Sequence, residues 1–156
     1  MSAVSSELRA FLKAGLAGAI VAADGDRRPQ ASRIWAARQV SGRDAVEIYV
    51  LRSAAAKLLE CVAGGARAAV TLIEVSTYRS RAFKGWCTVS DAGVDEAFLV
   101  ECLREMNVAF DGVGLGASAV ERMLGHYDVP REMVGLVIDV DGVFDQSPKP
   151  GAGASL

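Results

Sequence analysis

Short apolar segments divided by turn residues run through most of this chain, and that rhythm points to a sheet of short antiparallel strands rather than to a helical bundle. Gly18 to Ala23 is a small apolar run ending in Asp24-Gly25-Asp26. Gln30 to Val40 resumes after Pro29, so the two read as a hairpin. A second turn, Ser41-Gly42-Arg43-Asp44, leads to a third strand in which Val46, Ile48 and Val50 alternate with Glu47, Tyr49 and Leu51. Ala68 to Val75 and Ser80 to Val89 are two further strands joined by Ser76-Thr77-Tyr78. The second puts Ser80, Ala82, Lys84, Trp86 and Thr88 on one face and Arg79, Arg81, Phe83, Cys87 and Val89 on the other. Met133 to Phe144 is the sixth.

Helical spacing marks the remaining segments. Leu8, Phe11, Leu12 and Leu16 predict a leading helix within residues 1–15, with Ser5 or Ser6 as N-cap and Gly15 as its stop. Ala54 to Val62 has helical propensity, Ser53 as its natural cap and Gly64-Gly65 as its terminator. A helical segment over residues 93–125 follows Asp91-Ala92-Gly93: a long acidic helix from Val94 to Phe110, a break at Gly112, Gly114 and Gly116, and a short helix from Ser118 to Leu124. The tail, residues 147–156, reads as irregular. With no repeat and no second core, residues 1–156 are expected to form one α+β domain built on a mainly antiparallel six-stranded barrel with flanking helices.

Composition narrows the class. At 156 residues the prior is one domain, and 51% hydrophobic against 23% charged residues is the opposite of a disordered chain's balance. The best apolar run, Ala14 to Ala23, falls short of the ~18 residues a membrane helix needs, and Met1 to Leu8 lacks the order of a secretory signal. A soluble cytoplasmic protein is the expectation. Cys61, Cys87 and Cys102 are odd in number and lie in apolar company, as buried reduced thiols do. The net charge of −2 conceals a division: residues 27–84 hold 11 Lys/Arg against 4 Asp/Glu, and residues 85–156 hold 4 against 12. Such a cationic middle suits a nucleic-acid face, an anionic cofactor, an acidic partner, or no partner at all.

Protein-side catalytic motifs are weak. His126 is the sole histidine and has no second ligand at metal spacing. None of the cysteines has a histidine near it in sequence. Gly112-x-Gly114-x-Gly116 follows a helix rather than a strand, so it reads as a loop and not a dinucleotide fingerprint. The junction Tyr49-Val50-Leu51-Arg52-Ser53-Ala54-Ala55-Ala56-Lys57 carries more information. A strand feeding a helix N-terminus presents free N–H groups to an anion, with a hydroxyl from Ser53, a charge from Lys57 and Arg33 from a neighbouring strand.

The order of these pieces resembles the FMN-binding split barrels related to pyridoxamine 5′-phosphate oxidase. The resemblance runs from about Leu16 to Val89. It is carried by Ile20-Val21-Ala22-Ala23-Asp24-Gly25, Arg28-Pro29-Gln30-Ala31-Ser32-Arg33-Ile34-Trp35, Ile48-Tyr49-Val50 with Ser53 and Lys57, Ala66-Arg67-Ala68-Ala69-Val70-Thr71-Leu72, and Tyr78-Arg79-Ser80-Arg81-Ala82-Phe83-Lys84-Gly85. Asp145-Gln146-Ser147-Pro148-Lys149-Pro150-Gly151 is similar to the proline-rich tail of some members. The resemblance implies a split barrel, a homodimer, and FMN at the subunit interface. It places Arg33, Ile34, Trp35 and Ala36 on the strand along the flavin, Arg33 at the phosphate, Tyr49 and Val50 on the strand leading to the cradle, Ser53 and Lys57 completing the cradle, and Arg79, Ser80 and Lys84 on a strand that approaches the flavin. Two positions depart from the family's pattern: Ala56 stands where an arginine often precedes the lysine, and Ser80 where a glutamine is frequent. The oxidase's C-terminal signature has no counterpart, so pyridoxamine-phosphate oxidation is not implied.

Three readings follow: an FMN-dependent oxidoreductase acting on a small molecule, a flavin- or haem-binding carrier or sensor without turnover, and, ranked last, an interaction barrel binding nucleic acid or protein.

Overall fold

The computed structural model describes residues 2–156. Six strands, β1 (Ala17–Ala23), β2 (Pro29–Gln39), β3 (Ala45–Leu51), β4 (Ala66–Ile73), β5 (Ser80–Val89) and β6 (Met133–Asp145), pair antiparallel throughout and close into a barrel in the order β1-β2-β3-β6-β5-β4. Four helices flank it: α1 (Ala3–Phe11), α2 (Ala56–Val62), α3 (Glu96–Gly112) and α4 (Ala119–Leu124). The α+β six-stranded barrel expected from the pattern is the fold, and closure leaves no sheet edge open to pairing.

Inward side chains of all six strands, among them Ile20, Ile34, Ile48, Val70, Phe83 and Leu136, fill the interior. Helices α1 and α2 add Leu8, Phe11, Leu58 and Val62 to the same cluster, the Phe11 and Phe83 rings lying 6.2 Å apart. A second cluster forms outside the barrel, where Trp35, Ala36, Tyr49 and Leu51 meet Leu99, Cys102, Met106 and Phe110 of α3 and Val120 and Leu124 of α4. Strand β3 is therefore buried along its whole length, although its sequence alternates. One face lines the barrel and α3 covers the other.

Several local expectations are corrected by backbone context. Helix α1 is capped by Ser2, whose hydroxyl accepts the Ser5 N–H at 3.0 Å, and neither Ser5 nor Ser6 is the cap. The Ser5 hydroxyl donates instead to the Asp44 carboxylate. The helix ends at Phe11, and Gly15 lies in the turn beyond, at φ +84°, where a Cβ would press on Glu105. Ser53 does not cap α2: the helix starts at Ala56 after a turn, with Ala55 at the cap position and no side-chain cap bond. The reason is that β3 keeps its pairing to Leu51, and Arg52 N–H then donates to the Glu132 carbonyl at 2.7 Å, which holds the chain out of helical geometry.

Residues 147–156 form no named strand, yet they are tied down. The Asp145 N–H donates to the Ala154 carbonyl at 3.0 Å, the Leu156 N–H donates to the Val143 carbonyl at 2.9 Å, and Ser155 bridges Phe144. The Asp145 carboxylate anchors this return. It receives Lys149 at 2.9 Å, Arg81 at 3.0 Å and the Ser147 N–H at 2.9 Å. Lys149 and the Ser147 donors hold its carboxyl well below the usual carboxylate range.

Two outcomes follow from this packing. A Cβ on Gly85 would overlap the Asp139 carbonyl at the β5–β6 bulge. Gly85→Ala is expected to cost at least about 2 kcal/mol, since a closed barrel cannot give way there, measured by urea denaturation. The lowered native pKa of Asp145 means that the folded state binds this proton less readily than the unfolded chain. Its contribution is complete above the unfolded value of about 3.9 and is lost as pH falls through the native one. Melting curves below pH 4 should therefore fall more steeply for the wild type than for Asp145→Asn, whose curve starts lower and lacks that slope.

Candidate functional site

A β-bulge decides which way the first group of site residues faces. Ile34 pairs with Val50 and Ala36 with Tyr49, which leaves Trp35 as an extra residue on β2. Ile34 and Val50 face into the barrel and Trp35 and Tyr49 face outward beneath α3, and the bulge puts Ala36 outward beside them. Trp35 is buried and belongs to that outer packing. The Tyr49 hydroxyl accepts the Asp95 N–H at 2.9 Å, its ring meets Phe98 edge-on at 5.9 Å, and burial pushes its pKa up.

Arg33 lies outside the barrel, opposite Ala19 of β1. Its guanidinium carbon is 4.7 Å from the Trp35 ring centroid and 5.6 Å from that of Phe110. The Nε is buried and has no hydrogen-bond partner, alone among the buried side-chain polar atoms of the described residues. Burial lowers the Arg33 pKa, but a guanidinium stays charged. Beside it is a hollow of about 460 Å³ floored by Ala17, Gly18, Ala19 and Ala31. A cation held on two aromatic rings with an orphaned donor fits an anion, because leaving such a donor unmet is costly.

Ser53 and Lys57 are both exposed on the turn before α2 and its first turn. Lys57 lines a different hollow, of about 590 Å³, with Asp24, Arg28, Gln30, Glu60 and Cys61. Gln30 and Arg33 are three residues apart on an extended strand, about 10 Å at the usual rise. No described hollow contains both Arg33 and Lys57. Within one chain the structure thus keeps the two charged ends of the expected cradle on adjoining surfaces.

The third group is also divided. Arg79 stacks 5.2 Å from the Phe11 ring and pairs with Glu74 at 3.6 Å. Ser80 is buried under the returning tail: its N–H donates to Ser147 Oγ at 3.1 Å, and its carbonyl accepts the Gln146 N–H at 3.0 Å. Lys84 alone is exposed in mid-strand, its ammonium 4.3 Å from the Phe144 ring centroid.

Two arrangements had no signal in the sequence. Arg38 links Glu47 and Asp95, each at 2.7 Å, and its guanidinium carbon is 4.6 Å from the Phe98 ring centroid. Because Asp95 caps α3 by accepting the Phe98 N–H, this bridge fastens the helix start to the barrel, and Arg38 holds the Asp95 carboxyl below its ordinary value. The other is an apolar hollow of about 740 Å³ between α3 and α4, with Leu103, Val108, Val120, Leu124 and Tyr127 in its wall. Only proximity after folding assembles either. His126 is exposed just after α4, Gly112, Gly114 and Gly116 form a loop, and among the described residues no cluster of His, Cys, Asp and Glu suits a metal. No described helix is long and apolar enough to cross a membrane.

No family model matches the chain, and no curated protein is similar to it in sequence. Solved structures do share its fold. General stress protein 26 from Bacillus anthracis str. Sterne aligns with a TM-score of 0.54 at 9% identity, covering 95% of this chain and 97% of that one. HupZ of Group A Streptococcus aligns at 0.53 and 13% identity over 96% and 97%. A haem-binding protein from Mycobacterium smegmatis aligns at 0.51 and 13% identity, covering 100% of this chain and 58% of that one. At such identities the likeness is one of fold. The chain has the split-barrel fold that the resemblance implied.

The thiols differ in a way the sequence did not separate. Cys87 and Cys102 are buried, and burial pushes their pKa values up to about 12 and about 11. Cys61 is only half-buried, on the rim of the Lys57 hollow, which corrects the expectation of three buried thiols. A thiol reagent at neutral pH is expected to modify Cys61 in the native protein, with the other two reacting only after denaturation.

Proposed function

We propose that the protein binds FMN and works as a homodimeric flavoprotein, with FMN between subunits, in the oxidation or reduction of a small molecule. The observation that carries this reading is Arg33: a half-buried guanidinium with an unmet Nε, no carboxylate partner among the described residues, and the strand position that the resemblance assigns to the flavin phosphate. Lys57 and Ser53 are exposed and free to add a charge and a hydroxyl from the neighbouring surface. Since Arg33 and Lys57 line separate hollows, Arg33 would hold the phosphate, and Lys57 would add its charge from the adjoining surface or from the other subunit. The Arg33 guanidinium, aimed by Trp35 and Phe110, supplies the charge-assisted hydrogen bonds that fix the anion in place.

When bound, FMN supplies the hydride or single-electron transfer, so that no protein nucleophile is required. Lys84, exposed and facing away from the interior, provides a positive charge that favours an anionic reduced ring on the face it presents. A second reading, a haem carrier, is supported by the likeness to the M. smegmatis haem-binding protein and by the apolar α3–α4 hollow, whose wall includes Tyr127, the residue after the exposed His126.

An absorbance spectrum of the purified protein, followed by titration with FMN and size-exclusion chromatography, separates these readings. Flavin bands on a dimer are expected. Arg33→Ala and Lys57→Ala should each weaken FMN binding by about 1.5–3 kcal/mol, the range for hydrogen bonds to charged groups. Unchanged affinity in both variants would remove the cradle assignment, a haem Soret band would replace flavin with the second reading, and a colourless protein that ignores FMN would overturn both.

A further inference from the structure

The outer face of the barrel carries a basic hollow from which the flavin reading uses only Lys84. Strand registers align Val21 of β1 with Ala69 of β4, Ala69 with Lys84 of β5, and Lys84 with Gly142 of β6. Small side chains in the middle of this row, and a glycine at its far end, leave a depression of about 310 Å³. Arg27, Arg67 and Lys84 rise around it, and no carboxylate lines it. Arg67 is engaged by Asp141, whereas Arg27 and Lys84 have no carboxylate partner among the described residues.

Arg27 is held in place by its backbone. It sits at φ +61°, a left-handed conformation that side chains other than glycine rarely adopt. Its N–H donates to the Asp24 carbonyl at 2.9 Å, and the Asp24 N–H donates to the Arg28 carbonyl at 3.0 Å. Lys84 is steadied over the Phe144 ring, and Gly142 opposite leaves room for that ring. Cations around an apolar floor raise the local potential for an anion. The volume lies at the small end of the ligand-pocket range, about 300–1,000 Å³, which suits a single ring rather than an extended chain.

We propose that this hollow binds a small organic anion, with one carboxylate or phosphate between Arg27 and Lys84 and a compact apolar body over Val21 and Ala69. The site goes beyond the flavin reading, because it needs Arg27, shares only Lys84 with that reading and is measured on cofactor-free protein. Calorimetric titration of the full chain with benzoate, and separately with phenyl phosphate, tests it; the two probes share a ring and differ in the anion. Saturable binding of at least one probe is expected, weakened about tenfold or more by Arg27→Gly, which suits the left-handed turn, and by Lys84→Met, which keeps the stem. Benzoate alone would identify a carboxylate site and phenyl phosphate alone a phosphate site. The proposal is overturned if neither probe saturates, if both variants bind as the wild type does, or if only a single-stranded oligonucleotide binds with steep salt dependence. An FMN titration of Arg27→Gly separates the two readings, since loss of probe binding with FMN affinity retained assigns Arg27 to this hollow alone.

Discussion

The extra residue at Trp35 sets the direction of every side chain that follows it on β2. Without it, strict alternation would put Ala36 in the barrel and Ala37 outside. With it, Trp35 and Ala36 both face α3, and Ala37 joins the interior. Ala36 joins the outer cluster through that displacement, beside Trp35, on whose ring the Arg33 guanidinium rests. Phe110 completes the seat from the last turns of α3. Strand β2 thus connects the barrel, the helical layer and the candidate anion site.

Charge is managed along the same division. The acidic helix α3 is fastened at its start by Arg38, which reaches Asp95 and the buried Glu47 together, and the tail is fastened by Asp145, which gathers Arg81 and Lys149. Of the eleven cations in residues 27–84, Arg38, Arg43, Arg67, Arg79 and Arg81 have carboxylate partners. Arg27, Arg28, Arg33, Arg52, Lys57 and Lys84 have no carboxylate salt bridge among the described residues, and all of these but Arg52 stand around hollows floored mainly by small side chains or polar groups. A solvated basic surface does not bury a guanidinium nitrogen without a partner. Arg33 does, and this favours an anion site over a merely basic face.

Local pattern made the strands legible. Period-two alternation and the turns at Asp24-Gly25-Asp26 and Ser41-Gly42-Arg43-Asp44 correspond to observed strands, and β5 spans Ser80–Val89 as the alternation indicates. Where neighbours decide, local pattern misleads. Ser53 has the chemistry of a cap but not the geometry, because β3 stays paired up to Leu51. Ser80 shares a face with Lys84 by periodicity, yet the tail covers one and leaves the other open. The site residues were readable as a set of cations and hydroxyls on particular strands. Their separation into the hollows of Arg33, Lys57 and Lys84 was not, since it depends on a bulge, a turn and a returning tail.

By itself the sequence determined the six strands, their mainly antiparallel character, the helical segments and the concentration of positive charge, because hydrophobic period, turn chemistry and composition are local properties. Tertiary structure alone decided which side of each strand meets solvent, which cations find carboxylate partners and which are left without one. Those outcomes depend on contacts between residues far apart in the chain, such as Arg38 with Asp95 and Arg81 with Asp145, and on the register of a closed barrel, in which one inserted residue exchanges inside for outside.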